Sequence, residues 1–427
     1  MTNQLKNSKR YDVIVVGGGS SGLMAAINAA QQGVNVLVID KNRKPGRKLL
    51  LSGGTRCNVT NRTTREDLIK HIPGNGKFLY SALNQFDQED IVEFFESRGV
   101  ELKEEDHGRM FPVTDKSQTI LDALLKELEQ HDVTFKLHDP VDKVLYDLDE
   151  KKVLGVKTKS GETFQAGSVI LAVGGKAYPK TGTTGDGYKF AKAAGHTITQ
   201  LYPTEVPLLS DDIYIKERTM QGVPLRDVNV TVWDENGKPI VEHNLDMIFT
   251  HFGYSGPAIL RCSGHVNQYL ERTHAPVCHL SIDLTPELSQ ETLKAQAENQ
   301  RDKQVLTILK QWMPERMAEL ICTQVKIDPA NPYKQMIHGQ VDALMQYIKA
   351  FPITAHGSKP IEKGYVTGGG VATNEVNPKT MESKLMHGLY FCGELLDING
   401  YTGGYNITSA FVTGTIAGRY AAWGSFG

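Results

Sequence analysis

The stretch YDVIVVGGGSSGLMAAINAAQQGVNVLVID, Tyr11 to Asp40, decides the fold class. YDVIVV is short, apolar and β-branched, the pattern of a buried strand. Gly17, Gly19 and Gly22 follow as G-x-G-x-x-G, and LMAAINAAQQ then carries small apolar residues at helical spacing until Gly33. Gly17 permits the tight turn, Gly19 lets backbone approach a pyrophosphate, and Gly22 lets helix pack on strand. The N–H groups and dipole of the helix start, with Ser20 and Ser21 in its first turn, favour a phosphate. The next strand, VNVLVI, ends at Asp40, about twenty residues past the turn, where a carboxylate can accept from a ribose hydroxyl and disfavours a 2′-phosphate. The ligand expected here is FAD or NAD(H).

The continuation separates these two. KPGRKLLLSGGTRCNVTN, Lys44 to Asn61, is not the regular helix and strand of an NAD-binding half. It runs through Arg43, Lys44, Arg47 and Lys48 into Ser52, Gly53, Arg56, Cys57 and Asn58, a loop rich in N–H and cationic donors for an extended ligand such as FAD. SVILAVGGKAYPKTGTTGDGYKFAKAAGH, Ser168 to His196, reads as a strand, a glycine pair and a helix capped by Thr184 or Asp186. It brings Ala172 and Gly174 back towards the nucleotide. LYFCGELLDINGYTGGYN sets Gly393, Glu394 and Asp397 after another strand, where a carboxylate can accept from ribitol hydroxyls. Gly403 and Gly404 then aim the start of the last helix, Tyr405, Asn406 and Ile407, at the redox end, where its dipole would stabilise negative charge on the reduced ring. Lys41, after Asp40, and Val141, at the start of a later β-rich run, complete the expected FAD-binding set.

The chain of 427 residues is expected to hold two or three domains. Residues 1–202 alternate strand and helix and include a β-meander, VDKVLYDLDEKKVLGVKTKSGETFQ. From 203 the character changes, with strand-like TEVPLL, VNVTVW and VCHLSIDL and a hairpin signal at Asn236-Gly237. The expected architecture is α/β: a Rossmann-like, glutathione-reductase-like FAD-binding domain with a β-meander, residues 1–202 and 357–427. An insert domain, 203–356, interrupts it, with a β subdomain (203–284 and 336–356) and a small helical subdomain (285–335).

A net charge of -2 gives no electrostatic case for nucleic acid or anionic membrane as an obligatory partner. The 5 cysteines are odd in number and contain no CxxC pair, which disfavours a disulfide framework or a dithiol relay. MTNQLKNSKR is polar and basic with no signal-peptide core after it, and no run approaches the roughly 20 apolar residues of a membrane span. A soluble, cytoplasmic protein is expected, and no metal, since the histidines lack ligand spacing.

VVGGGSSGLMAA, GRKLLLSGGTRCNVTN, GRMFPVTDKS, AVGGKAYPKTGTTGDG, FTHFGYSGPAIL, GYVTGGGV and GELLDINGYTGGYN spread over nearly the whole chain. Together they resemble the YhiN/HI0933-like family of FAD-dependent oxidoreductases (BaiN-type, aminoacetone-oxidase-like). Thr55 departs from the pattern, which more often has a third glycine there. The resemblance implies bound FAD in an interrupted Rossmann-like domain. It also implies NAD(P)H-dependent reduction of activated C=C bonds, or of uridine in ribosomal RNA.

His251 and Tyr254, in FTHFGYSGPAIL, are candidate acids for protonating the carbon opposite a hydride. Cys57 is a third candidate, although free cysteine is more often a small buried hydrophobe. His251 has its own plain reading as a helix cap. Only one dinucleotide turn is present, so NADH or NADPH would visit transiently, between the FAD domain and the insert. The leading function is therefore an FAD-dependent NAD(P)H oxidoreductase passing hydride from flavin N5 to an electron-poor C=C of a small-molecule acceptor. The alternatives are an RNA acceptor in a ribosomal RNA dihydrouridine synthase, a flavin amine oxidase, and a non-catalytic FAD-binding redox sensor. Oligomeric state is not legible.

Overall fold

The computed structural model describes residues 8–425. The N-terminal MTNQLKN and residues 426–427 at the ends of the expected FAD-binding domain lie outside the described residues. The chain divides into two compact units, the second running from Tyr202 to Tyr365 and the first containing the chain before and after it. Each has its own apolar core.

Unit 1 is built on a sheet whose strands are β1 (Lys9–Val16), β2 (Val36–Asp40), β3 (Thr134–Leu137), β4 (Val141–Asp147), β5 (Lys152–Thr158) and β6 (Thr163–Leu171). Their order is β3-β2-β1-β6-β5-β4. β3, β2, β1 and β6 are mutually parallel, and β4-β5-β6 form an antiparallel meander. Val13 to Val16 and Val36 to Ile39 are almost wholly buried, as central parallel strands covered on both faces require. One edge of β6 is shared. Its first half pairs with β5, from Thr163↔Lys157 to Gln165↔Gly155, and its second half pairs in parallel with the short strand Leu389–Phe391. The C-terminal segment thereby completes the sheet begun by the first strand.

Two helices cross on this sheet: α1 (Ser20–Ala30) and the C-terminal helix, Tyr405–Gly424. They touch through backbone. A Cβ on Gly414 would lie 2.3 Å from Ser21 O, and one on Gly418 would lie 2.2 Å from Ala25 O. Four-residue spacing on both helices puts these contacts on one line of each. Asn28 Nδ2 donates to Met24 O (3.0 Å), and Arg419 Nε donates to Asn28 Oδ1 (3.1 Å).

Unit 2 has an antiparallel sheet of β7 (Pro224–Trp233), β8 (Pro239–Phe249), β9 (Gly253–Ser255), β10 (Cys278–Asp283) and β11 (Phe351–Ala355), in the order β11-β10-β7-β8-β9. Leu208–Leu209 and then Gly357–Ser358 extend it. The β7–β8 turn contains Asn236-Gly237, and Asp234 Oδ1 accepts from the N–H groups of Asn236 (2.9 Å) and Lys238 (2.8 Å). With α2 taken as Asp186–Ala193 of unit 1, helix α3 (Pro257–Thr273) of unit 2 packs across β7 and β8, and α4 (Gln290–Glu298), α5 (Glu315–Val325) and α6 (His338–Lys349) form a helical group.

Two expected boundaries move. Residues 338–349, placed in the β subdomain from sequence, are helix α6, because Val341, Leu344, Met345 and Ile348 recur at helical spacing and the last three are buried. Gly357–Ser358, placed in the returning FAD-binding domain, pairs with Leu208–Leu209, and unit 1 resumes only at Val366.

Gly418→Val is expected to destabilise the protein by about 2–3 kcal/mol, because backbone sits where the new side chain must go. A denaturant midpoint unchanged from wild type would show that the two helices can separate without cost.

Candidate cofactor site

Unit 1 positions most of the expected cofactor residues, starting at the first turn. Gly17 has φ +106°, and a Cβ there would fall 2.5 Å from Ala172 O; one on Gly22 would fall 1.9 Å from Gly17 O. These glycines let β1, α1 and the end of β6 close on each other. Gly19 is different: nothing lies within 4 Å of its Cβ direction. It is the N-cap of α1, and no side chain caps that helix. The first-turn N–H groups of Ser20, Ser21 and Gly22 therefore start beside open space, the setting in which helices take phosphate. Asp40 braces the turn, accepting from Gly18 N and Asn42 N, both at 2.6 Å. A carboxylate has further lone pairs for a ribose. Lys41 Nζ reaches Thr184 Oγ1 and Asp186, both at 2.5 Å. Neither Thr184 nor Asp186 caps the helix Asp186–Ala193 as expected: Gly185, at φ +79°, holds that position without a side-chain bond. Lys41 engages both side chains instead.

The second group lies at the carboxyl ends of β6 and Leu389–Phe391. Ala172 N donates to Val16 O (2.9 Å), and Gly174 follows it with φ +71°. Gly393 lies against α1, since a Cβ would meet Ser21 Oγ at 2.5 Å. Its neighbour Glu394 pairs with Lys48 (2.6 Å) and accepts from Thr367 N (2.7 Å). Asp397 is partly buried, and burial pushes its carboxyl above the ordinary range against bonds from Thr199, Asn75 and Gly369. Val141 is nearly buried at the start of β4, paired with Thr158.

The third group joins the loop after Lys48 to the C-terminal helix. Gly53, Gly54 and Thr55 take consecutive left-handed conformations, φ +55°, +67° and +72°. Ser52 Oγ donates to Leu49 O (2.6 Å). The Arg56 guanidinium lies 4.2 Å over the Phe111 ring and is engaged by Glu105 and Asp115, which hold its pKa up. Asn58 is buried with no hydrogen-bond partner for Oδ1, and a Cβ on Gly404 would lie 3.0 Å from that oxygen. Gly404, φ +98°, is the N-cap of the C-terminal helix, again without a side-chain cap. Asn406 clamps the preceding turn, accepting from Gly400 N (2.8 Å) and donating to Gly400 O (2.7 Å). Tyr405 is buried and stacks on His71, with centroids 4.6 Å apart and planes 8° off parallel. Ile407 is half-buried and packs on the core.

Three participants were missed from sequence. Asn61 donates to His107 O (2.9 Å) and Gly403 O (3.0 Å), tying the loop to the last turn. Its signal was the second asparagine of RCNVTN. Thr367 Oγ1 accepts from Lys176 N and Ala177 N, both at 2.9 Å. Thr367 lies in the quoted run GYVTGGGV, where the glycines and not its hydroxyl drew the reading, and His71 supports Tyr405 from over three hundred residues away with no local pattern to announce it.

The candidate acids are not alike. Cys57 is 0% exposed, and burial pushes its thiol up to about 12, so it is a buried neutral group rather than a reachable donor. Tyr254 in unit 2 is also 0% exposed; its hydroxyl bonds Asp212 and Tyr214 (3.1 Å), and burial pushes its pKa far up. Both fall as solvent-reachable acids because the cores close over them. His251 is exposed in the β8–β9 turn, its ring edge-on to Phe252 at 4.9 Å.

Two uncapped helix starts, open space at Gly19 and a buried amide oxygen without a partner fit an extended dinucleotide with phosphates at one end and a polar ring at the other. Among the described residues no His/Cys/Asp/Glu group could hold a metal. No described helix is long and apolar enough to cross a membrane.

Comparison with known proteins agrees. The family profile described as HI0933-like protein Rossmann domain matches residues 11–420. A ribosomal RNA dihydrouridine synthase of Escherichia coli is 32% identical, over 94% of this chain and 96% of its own. A 3-dehydro-bile acid delta(4,6)-reductase of Clostridium scindens is 29% identical, over 96% of this chain and 98% of its own. Among solved structures, a quinol-fumarate reductase with menaquinol molecules has a TM-score of 0.51 at 18% identity, covering 98% of this chain and 72% of that one, a likeness of fold.

Thr55→Gly relieves a β-branched residue from a left-handed conformation and is expected to stabilise by about 0.5–1 kcal/mol. A lower unfolding midpoint for the variant would mean that the threonine side chain makes a compensating contact.

Proposed function

This chain belongs to the HI0933-like family of FAD-dependent oxidoreductases, and from that premise we propose that it reduces a C=C bond conjugated with a carbonyl, using NADH or NADPH. The observation that carries the binding part is the pair of uncapped helix starts in unit 1, with the unpartnered Asn58 Oδ1 beside the second. The first-turn N–H groups of α1 would hold the pyrophosphate, with Asp40 and Lys41 on the adenosine side. Glu394, steadied by Lys48, would accept from ribitol hydroxyls. Asn58 and the N–H groups of Tyr405, Asn406 and Ile407 would face the redox ring. Bound FAD supplies a carrier that accepts hydride from the nicotinamide and passes it to the acceptor.

The protein's own part is electrostatic and positional. The start of the C-terminal helix favours negative charge developing beside it. The His71–Tyr405 stack and the Asn406 clamp keep that helix start in place. Cys57, held neutral by burial, adds no thiolate to the site. Of the three candidate acids, His251 alone is exposed and able to exchange protons with solvent.

A second reading makes the acceptor a uridine in RNA. One finding favours it: the relative from E. coli is named a ribosomal RNA dihydrouridine synthase. The uracil C5=C6 bond is conjugated with a carbonyl, so it makes the same demand on hydride and proton delivery as an enone.

Anaerobic mixing of the flavin-loaded protein with NADH or NADPH is expected to bleach the flavin, and a steroid-type enone or a uridine-containing RNA to restore it. Protein that stays colourless after reconstitution, or flavin that neither nicotinamide reduces, would reject the reading. Asn58→Leu removes the buried, unpartnered amide oxygen that would bond the ring and is expected to weaken FAD binding about 10-fold, read by equilibrium dialysis. Unchanged retention would remove Asn58 from the site.

A further inference from the structure

The net charge of -2 conceals a local imbalance in unit 1. Residues 41–47, KNRKPGR, hold Lys41, Arg43, Lys44 and Arg47 and no acid. Residues 176–192 hold Lys176, Lys180, Lys189 and Lys192 and one acid, Asp186. The two segments are neighbours. Asn42 Nδ2 donates to Thr181 O (3.4 Å), a Cβ on Gly182 would lie 2.6 Å from Asn42 Nδ2, and Lys41 bonds Thr184 and Asp186. Asp186 is thus committed to Lys41 at 2.5 Å, with Lys189 also near it. Arg43, Lys44 and Lys180 are exposed, as are Lys189 and Lys192 on the helix Asp186–Ala193, and none of these has an ion pair among the described residues. Tyr146 of β4 ties that helix to the meander, its hydroxyl donating to Phe190 O (3.0 Å).

We propose that this surface, formed by residues 41–47, 176–182 and the helix Asp186–Ala193, docks the phosphodiester backbone of RNA. The proposal takes its partner from the uridine form of the function above and deepens it by assigning the docking face. Cations spread over two loops and a helix suit a chain of phosphates, each contact releasing counterions. A single small acceptor has no use for so many. An anionic membrane is the less suited partner, because none of the large exposed apolar side chains lies in residues 41–47 or 176–192, and peripheral membrane binding draws on apolar insertion as well as charge. Unit 2 has no run as dense in cations: its residues 343–361, free of acids, hold only Lys349 and Lys359.

The test uses flavin-loaded, full-length protein and a fluorescently labelled RNA hairpin with a uridine-containing loop, titrated over a salt series. The variant combines Lys180→Gln, Lys189→Gln and Lys192→Gln, all outside the cofactor set. Wild type is expected to bind with steep salt dependence. The triple variant is expected to bind about 10-fold more weakly, with a log–log salt slope shallower by about 2, near 0.7 for each lost phosphate contact. Its NAD(P)H-driven flavin bleaching should be unchanged, which also certifies folding. Equal affinity and slope for variant and wild type would overturn the proposal, as would tighter binding to phosphatidylserine vesicles than to RNA. RNA binding that depends on these lysines without any uridine reduction would uphold the surface and sink the uridine reading. Uridine reduction indifferent to the three lysines would do the reverse.

Discussion

Everything in unit 1 hangs on two helices that meet backbone to backbone at two glycines, with the Arg419–Asn28 hydrogen bond beside them. Gly414 and Gly418 let the C-terminal helix lie directly on Ser21 and Ala25 of the first helix. The same contact carries Gly393 against Ser21 Oγ and sets Gly404 beside Asn58. A chain's first and last elements thereby share one site. Packing this close forgoes apolar side-chain burial at the crossing and gains dispersion between backbones, and it converts helix position into cofactor geometry. A shift of the C-terminal helix along its partner would move both the Glu394 carboxylate and the helix start that faces Asn58.

Much of that arrangement was readable from residue order, because the devices are local. The turn at Gly17–Gly22 needs strand, glycines and helix in succession, and these are contiguous in sequence. The run GELLDINGYTGGYN likewise announces a strand end, carboxylates and a helix start within one stretch. What escaped reading was tertiary. Arg56 looked like a ligand donor, yet Glu105 and Asp115 claim its guanidinium. Thr184 and Asp186 looked like caps, yet Lys41 recruits them. His71 gives no local sign of its ring stack with Tyr405. In unit 2, α6 was assigned to the β subdomain, although its apolar spacing is helical once Val341 to Ile348 are read at a period near 3.6.

Burial also sorts the reactive side chains. Cys57 and Tyr254 carry suitable functional groups, but both are sealed in cores that hold them protonated. A site of this kind leaves electron transfer to the cofactor and confines the protein to holding charge, orientation and a proton source. Surface charge tells a separate story: the chain is near neutral in sum, while residues 41–47 and 176–192 of unit 1 gather exposed cations with a single acid among them.

The divided edge of β6 has a bearing on how the molecule is made. Its first half is satisfied by the meander that precedes it, but Val169 to Leu171 wait for Leu389 to Phe391. On the ribosome, more than two hundred residues must emerge between those partners, and Tyr202–Tyr365 among them has a core of its own. Unit 2 can therefore condense while the earlier sheet still shows an unpaired border. Long-range pairing of this sort slows assembly and leaves a strand edge open to wrong neighbours. Biogenesis thus has a vulnerable interval, closed only when Leu389–Phe391 has emerged and docked.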